Sequence, residues 1–257
     1  MNDKPKDVPA NAPEFSKQII AAELLDEAAR DAGKGVSTDP ADRIIPLLYI
    51  LQSGSPAVAK RGNAHIPDAE AGDFWLRNAA SNPIRSGITG INVLNCGMVR
   101  RWVEWRPNRQ GYVTEHDQPP ADTEDVITRD EAGNEKVIQV RRSNKHVIED
   151  TRKIFLLIDG MPYVFPCKGT LHTFARSWQT HLVQLLHPTT GKLLPSFYHR
   201  YRLTTAPVDN AKGKWFSVKF DDLGPGESRA EYAAGKRLND MVERGVARTE
   251  TPTVNGE

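Results

Sequence analysis

The feature that most constrains this chain is the run IFLLI–Asp159–Gly160–MPYVF. Two short apolar segments around Asp-Gly are the strongest short-range signal for a β-hairpin closed by a two-residue turn, because both central positions of such a turn require a positive φ. Pro162 places the second strand at a sheet edge or at its own start, since proline has no N–H to give to a ladder. Further β-type segments surround this hairpin. IIPLLYILQ (44–52) is dense and apolar but is interrupted by Pro46, and GDFWL (72–76) is a short strand. Ile88 to Cys96 alternates loosely through Ile91, Val93 and Leu94. In MVRRWVEWRPNR, Val99, Arg101, Val103 and Trp105 point one way, and Arg100, Trp102, Glu104 and Arg106 the other.

Helical signals are fewer. Ser16 caps a helix to Ala32 that Gly33 ends, and Ala230 to Arg244 forms a second helix. Between them, Thr170 to His187 repeats Leu171, Phe174, Trp178, Leu182, Leu185 and Leu186 at helical spacing, a face for the core rather than for a ligand. The expectation is a β-rich α+β fold: an OB-like barrel with a packed amphipathic helix, a flexible N-terminal segment and a C-terminal helix. Residues 1–43 are the N-terminal segment with its one helix, 44–224 the barrel domain, and 225–257 the C-terminal helix and polar tail.

Charge is distributed unevenly. The net charge is +1, so any attraction for a polyanion must come from segregation. The 49 residues from Gly160 to Val208 contain no acid, but hold Lys168, Arg176, Lys192, Arg200 and Arg202, four of the seven histidines, and seven aromatic residues. Interleaved bases and rings suit a single strand whose bases stack while its phosphates are neutralised. The strand FYHRYRLTT places Tyr198, Arg200 and Arg202 on one face, with Phe197 and Tyr201 buried on the other. WFSVKF follows, with Lys214 and Lys219 continuing the positive charge. By contrast, Glu115 to Glu135 carries eight acids against Arg129 alone, an exposed acidic hairpin near 115–135 with its tip at Asp130–Asn134. The nucleic-acid-binding set is Arg100, Trp102, Arg106, Lys168, Arg176, Tyr198, Arg200, Arg202 and Lys214. The bland reading of Trp102 is a ring covering the core edge.

No catalytic or cofactor motif is present: no Gly-rich phosphate loop, no Cys-x-x-Cys, no His-Glu-x-x-His. The expectation is therefore no enzyme, no cofactor and no metal. Cys96 and Cys167 are single thiols beside apolar strands and read as small buried hydrophobes in a reducing cytoplasm. The polar N-terminus is no signal peptide, and no apolar run spans a membrane.

IIPLLYILQSGSPAV, AGDFWL, WVEWRPNRQGYV, and HRYRLTT with WFSVKF together resemble small accessory proteins of tailed bacteriophages and prophages. Some of these look like single-stranded DNA-binding proteins of the OB type. The likeness spans about residues 44–220. It implies single-stranded DNA binding in phage replication or recombination, without strong sequence preference, in the host cytoplasm, with phage replication proteins as further partners. The tail TETPTVNGE, with only two acids, departs from the acidic tail such proteins use to recruit partners. A virion or host-takeover module that binds protein through its charged patches is the alternative reading, and oligomeric state stays open.

Overall fold

The computed structural model describes residues 44–59, 65–77, 84–129, 135–210 and 213–249. The chain divides into two compact units, Met1–Asp42 and Arg43–Glu257, and the described residues all lie in the second. The helix expected at 16–32, the turn at Asn82-Pro83, the hairpin tip at 130–134 and the polar tail from 250 fall outside them.

The centre of the fold is an antiparallel pair of unusually long strands, β5 (Ile91–Trp105) and β9 (Val147–Ile158). Other strands flank one half of this pair or the other. At the Ile91 end, β11 (His199–Asn210) and β12 (Gly213–Pro225) extend the sheet from β5, and β10 (Met161–Cys167) extends it from β9. At the Trp105 end, β6 (Tyr112–His116) lies beside β5, while β8 (Glu135–Arg141) and then β7 (Thr123–Arg129) lie beside β9. A small sheet of β2 (Leu48–Ile50), β3 (Phe74–Leu76) and β4 (Ile84–Arg85) stands apart, and β1 (Ile44–Ile45) pairs in parallel with β13 (Arg248–Thr249).

The fold is thus β-dominated α+β. The main sheet runs β12-β11-β5-β9-β8-β7, and no pairing among the described residues joins its ends. It is an open sheet, where the sequence suggested an OB-like barrel. The reason lies in β5: its outer edge is shared between β11 and β6, so the sheet forks instead of curling into one ring.

The hairpin signal is realised as expected. Ile158 opposes Met161, and Asp159 (φ 50°) and Gly160 (φ 77°) take the two left-handed positions. Pro46 splits its apolar run into β1 and β2. Gly97 does not end a strand but permits a bulge. Cys96 and Gly97 together face Phe155, since the register passes from Asn95–Leu156 to Met98–Ile154. Gly97 takes φ 125°, which favours glycine at such a site.

Two helices cover the two sides of the sheet. Helix α1 (Leu171–Leu182) buries Phe174, Ala175, Trp178 and Leu182 among Ile154, Leu156, Phe165, Tyr201 and Leu203. It is shorter than the Thr170–His187 pattern suggested, and Leu186 is exposed. Pro188 disfavours helical geometry just before it, and the chain there closes a turn in which Leu194 donates to the Leu185 carbonyl. Helix α2 (Arg229–Glu243) packs Leu238 and Val242 against Leu94, Phe155, Leu157 and Phe197. The Ser228 hydroxyl accepts from the Glu231 amide at 3.1 Å, capping its start.

The small sheet is held to the large one at Gly87. Thr205 donates its amide to the Gly87 carbonyl and its hydroxyl to the Gly72 carbonyl. A Cβ at residue 87 would overlap the Gly72 carbonyl and the Thr205 hydroxyl. Gly87→Ala is expected to destabilise the protein by about 1–3 kcal/mol, the range for overpacking a tight contact. Gly54→Ala, with nothing within 4 Å of the added atom, serves as the control. Urea unfolding compares them, and equal midpoints would show that the Gly87 contact carries no weight.

Candidate nucleic-acid interface

The nine cationic and aromatic residues singled out from the sequence do not share one surface. Alternation along β5 holds, and the Arg100 guanidinium lies over the Trp102 ring, 4.6 Å from its centroid. Arg100 is also clamped by both oxygens of Asp150, at 2.9 and 2.8 Å. Trp102 is buried, as the bland reading had it. Arg106 is exposed just beyond β5, and Arg176 is exposed on α1.

On the FYHRYRLTT segment, Tyr201 is fully buried beside Trp178, as alternation requires. Ser196–Tyr198, however, is a 3-10 turn before the strand. It removes Tyr198 from the strand's alternation and sends Phe197 to the α2 side. Arg200 is ion-paired with Glu227 and Glu231. Arg202 is exposed, its Nε donating to Asn92 at 3.4 Å. The row Tyr198–Arg200–Arg202 is therefore interrupted by a turn and by two carboxylates from the start of α2, which sequence spacing could not reveal.

Lys168 and Lys214 do meet, across a groove of about 540 Å³. Its floor is apolar, from Leu48 and Ile50 of β2, Val103 of β5, Phe165 of β10 and Leu171 of α1. Trp215 and Phe216 supply half-buried rings along it, and the buried Trp105 ring lies beneath. Gln52 anchors one wall to the other, exchanging hydrogen bonds with the Phe216 backbone at 3.1 and 2.8 Å. Lys168 stands 5.9 Å from the Trp105 ring centroid and 3.4 Å from Glu149. Among the described residues Lys214 pairs with the exposed Asp209, and such surface pairs are weak. The Trp105 Nε1–H is buried without a hydrogen-bond partner among the described residues. Lys153 also lines the groove but is only 3% exposed. Its ammonium is held by Glu115 and by Thr249 at 2.9 Å. Burial pushes its pKa below the usual lysine value despite Glu115.

The acidic segment is not a free insert. Its β7–β8 part is a hairpin, but Asp117 pairs with Arg101 at 2.7 Å and Glu124 with Arg142 and Lys145. Ser143 and Arg141 together draw the Asp122 carboxyl down to about 2. Among the described residues, Asp117, Asp122 and Glu124 pair with the domain's own bases, and no acid of this segment lines the groove.

Sequence reasoning also passed over a buried carboxylate. Glu104 is 2% exposed and receives His116 Nε2 and His146 Nδ1, each at 2.6 Å, with Arg141 at 3.4 Å and Asn144 at 3.5 Å. A charge alternating with Trp102 and Arg106 reads as a solvated face, and only the fold brings partners from β6 and from beyond β8. A second carboxylate, Asp222, likewise joins His181 and His199 at 2.9 and 2.8 Å. No cluster of three or more His, Cys, Asp or Glu among the described residues is arranged to hold a metal ion. Both thiols are buried, and burial raises the Cys96 pKa to about 12.

Burial alone would raise the Glu104 pKa, but the hydrogen bonds from His116 and His146 and the Arg141 charge outweigh it and leave it below the ordinary value. A carboxyl depressed in the folded state contributes stability that is present above its unfolded pKa and lost as pH falls through the folded one. Glu104→Gln is expected to cost about 3–5 kcal/mol near neutral pH, as when one partner of a buried ion pair is removed. The gap to wild type should narrow below about pH 4.3, the ordinary glutamate pKa. Urea midpoints against pH measure this, and a gap independent of pH would mean the carboxylate charge is not what holds the cluster.

No helix among the described residues is long and apolar enough to cross a membrane. No curated protein matches the chain, and no solved structure does. The model of one phage protein family matches residues 15–248, which takes in the forked sheet, both helices and every residue of the groove. The chain belongs to the Pam3 phage gp34-like protein family.

Proposed function

We propose that the chain binds single-stranded DNA in the groove between β2, β10 and the β12 strand, in phage DNA replication or recombination. The observation that carries this reading is the lining itself. The half-buried rings of Trp215 and Phe216 stand with Lys168 and Lys214, and Glu149 is the one carboxylate of the described lining. Rings accept bases of any identity by stacking, and lysines neutralise passing phosphates. Binding would then show little sequence preference. Membership of a phage protein family agrees with the setting. The alternative is a virion or host-takeover module that binds protein through its charged patches, of which Arg100 and Arg200 are already paired with Asp150, Glu227 and Glu231.

Fluorescence anisotropy with a labelled single-stranded oligonucleotide separates the two. Affinity should fall steeply with salt, and Lys168→Ala and Lys214→Ala should each flatten the log–log slope by about 0.7. Trp215→Ala should weaken binding by about 1–3 kcal/mol with the slope nearly unchanged, because a stacked ring releases no counterion. Absence of binding at low salt would discard the proposal. Affinity that depends on Arg100 or Arg200 but not on the groove would discard this site.

A further inference from the structure

The outer edge of β7 (Thr123–Arg129) is the last in the sheet, and no strand among the described residues pairs with it. Backbone direction along it follows from two hydrogen bonds. Arg141 donates its amide to the His146 carbonyl, away from β7, and Thr123 donates its amide to the Pro120 carbonyl, away from β8. Thr123 and Arg141 are direct opposites, so theirs is a pair that exchanges no hydrogen bonds. By alternation the same holds at Asp125, Ile127 and Arg129, whose backbone groups point outward from the sheet.

The side chains at those same positions share one face. Their opposites on β8 are Gln139, Val137 and Glu135. Ile127 and Val137 are 66% and 61% exposed. Two branched apolar side chains side by side in solvent, on an edge that no described strand pairs with, form a site for strand addition. The other face of the hairpin is already used: Val126 and Ile138 pack on Val103, Trp105, Val140 and Val147.

We infer that β7 pairs edge to edge, antiparallel, with β7 of a second copy of this chain, with Ile127 on the two-fold axis. The backbone sets this register, because only residues with outward groups can exchange hydrogen bonds across the edge. With Ile127 opposite itself, Asp125 stands opposite Arg129 on each side of the axis. Across the new sheet the apolar row reads Val137, Ile127, Ile127, Val137. The flanking row reads Glu135, Arg129, Asp125, Gln139, in which Arg129 sits between its own Glu135, at 3.1 Å, and the incoming Asp125. Charges on an edge strand ordinarily discourage pairing, but here the two-fold makes them complementary. A neighbour of other sequence would not reproduce that match. This inference does not depend on what the groove binds.

Sedimentation velocity of the full chain over a range of concentrations tests it. A monomer–dimer equilibrium is expected. Ile127→Lys places like charges on the axis and should raise the dissociation constant about tenfold or more, and Val137→Lys should weaken the dimer less. Both positions are exposed, so thermal unfolding should be close to wild type. Asp125→Arg alone should dissociate the dimer, and Asp125→Arg with Arg129→Asp and Glu135→Lys should restore it, since the charges of the row Glu135–Arg129–Asp125 are only exchanged. A chain that stays monomeric at all concentrations overturns the inference. So does a dimer indifferent to Ile127→Lys, or one that the triple exchange fails to restore.

Discussion

The β5–β9 ladder is the contact on which the rest of this protein rests. Every other strand of the main sheet joins through it, and each helix packs on one of its sides. One extra residue at Cys96–Gly97 bulges the ladder midway and locally increases its twist. The Asn239 amide of α2 donates to the Cys96 carbonyl at 3.1 Å, and the Asn95 side chain accepts from the Gly97 amide at 3.0 Å. The bulge is thereby satisfied at its backbone and doubles as the seat of α2. Because the outer edge of β5 is divided between β11 and β6, the two ends of the ladder carry different chemistry. The Ile91 end is mostly apolar between the helices, with Asn95 its buried polar side chain. The Trp105 end is charged, and holds the Glu104 cluster and one wall of the groove.

Electrostatics follow that division. The acidic stretch from Glu115 and the basic stretch around Arg141 and Lys153 are distant in sequence but meet across β5, β6, β8 and β9. Lys153 with Glu115, Arg101 with Asp117 and Arg141 with Asp122 and Glu104 tie the same strands that the backbone pairs. Such pairs lower the field the protein projects, in keeping with a net charge of +1. Under the proposed function, a contact at Lys168 and Lys214 beside the groove rings would combine dispersion with charge and not rely on long-range attraction.

Much of this was written in local sequence. Asp159-Gly160 specified its hairpin because few residues tolerate two consecutive positive φ values. The period of Leu171, Phe174, Trp178 and Leu182 placed α1 and its buried face, and strict alternation identified Tyr201 as core and Val103 with Trp105 as one side of β5. Those signals act over a few residues, where backbone sterics and side-chain direction leave little choice. Local pattern also misled where a turn intervened. Ser196–Tyr198 breaks the alternation that had aligned Tyr198 with Arg200, and Pro188 shortens α1 so that Leu186 emerges into solvent.

Tertiary structure alone decided how the charges were used and where a ligand could sit. The groove draws on residues near 48, 105, 168 and 215, and the Glu104 cluster on 104, 116, 141, 144 and 146. No periodicity links positions so far apart, because their proximity depends on strand order and on a fork in the sheet. A lysine or arginine has the same appearance in sequence whether it faces solvent or a carboxylate. Its availability depends on the desolvation and pairing that only the folded neighbourhood supplies. Local sequence thus determined the strands, the turn and the buried helix faces through short-range sterics. Long-range register decided the open sheet, the neutralised arginines and the ring-lined groove.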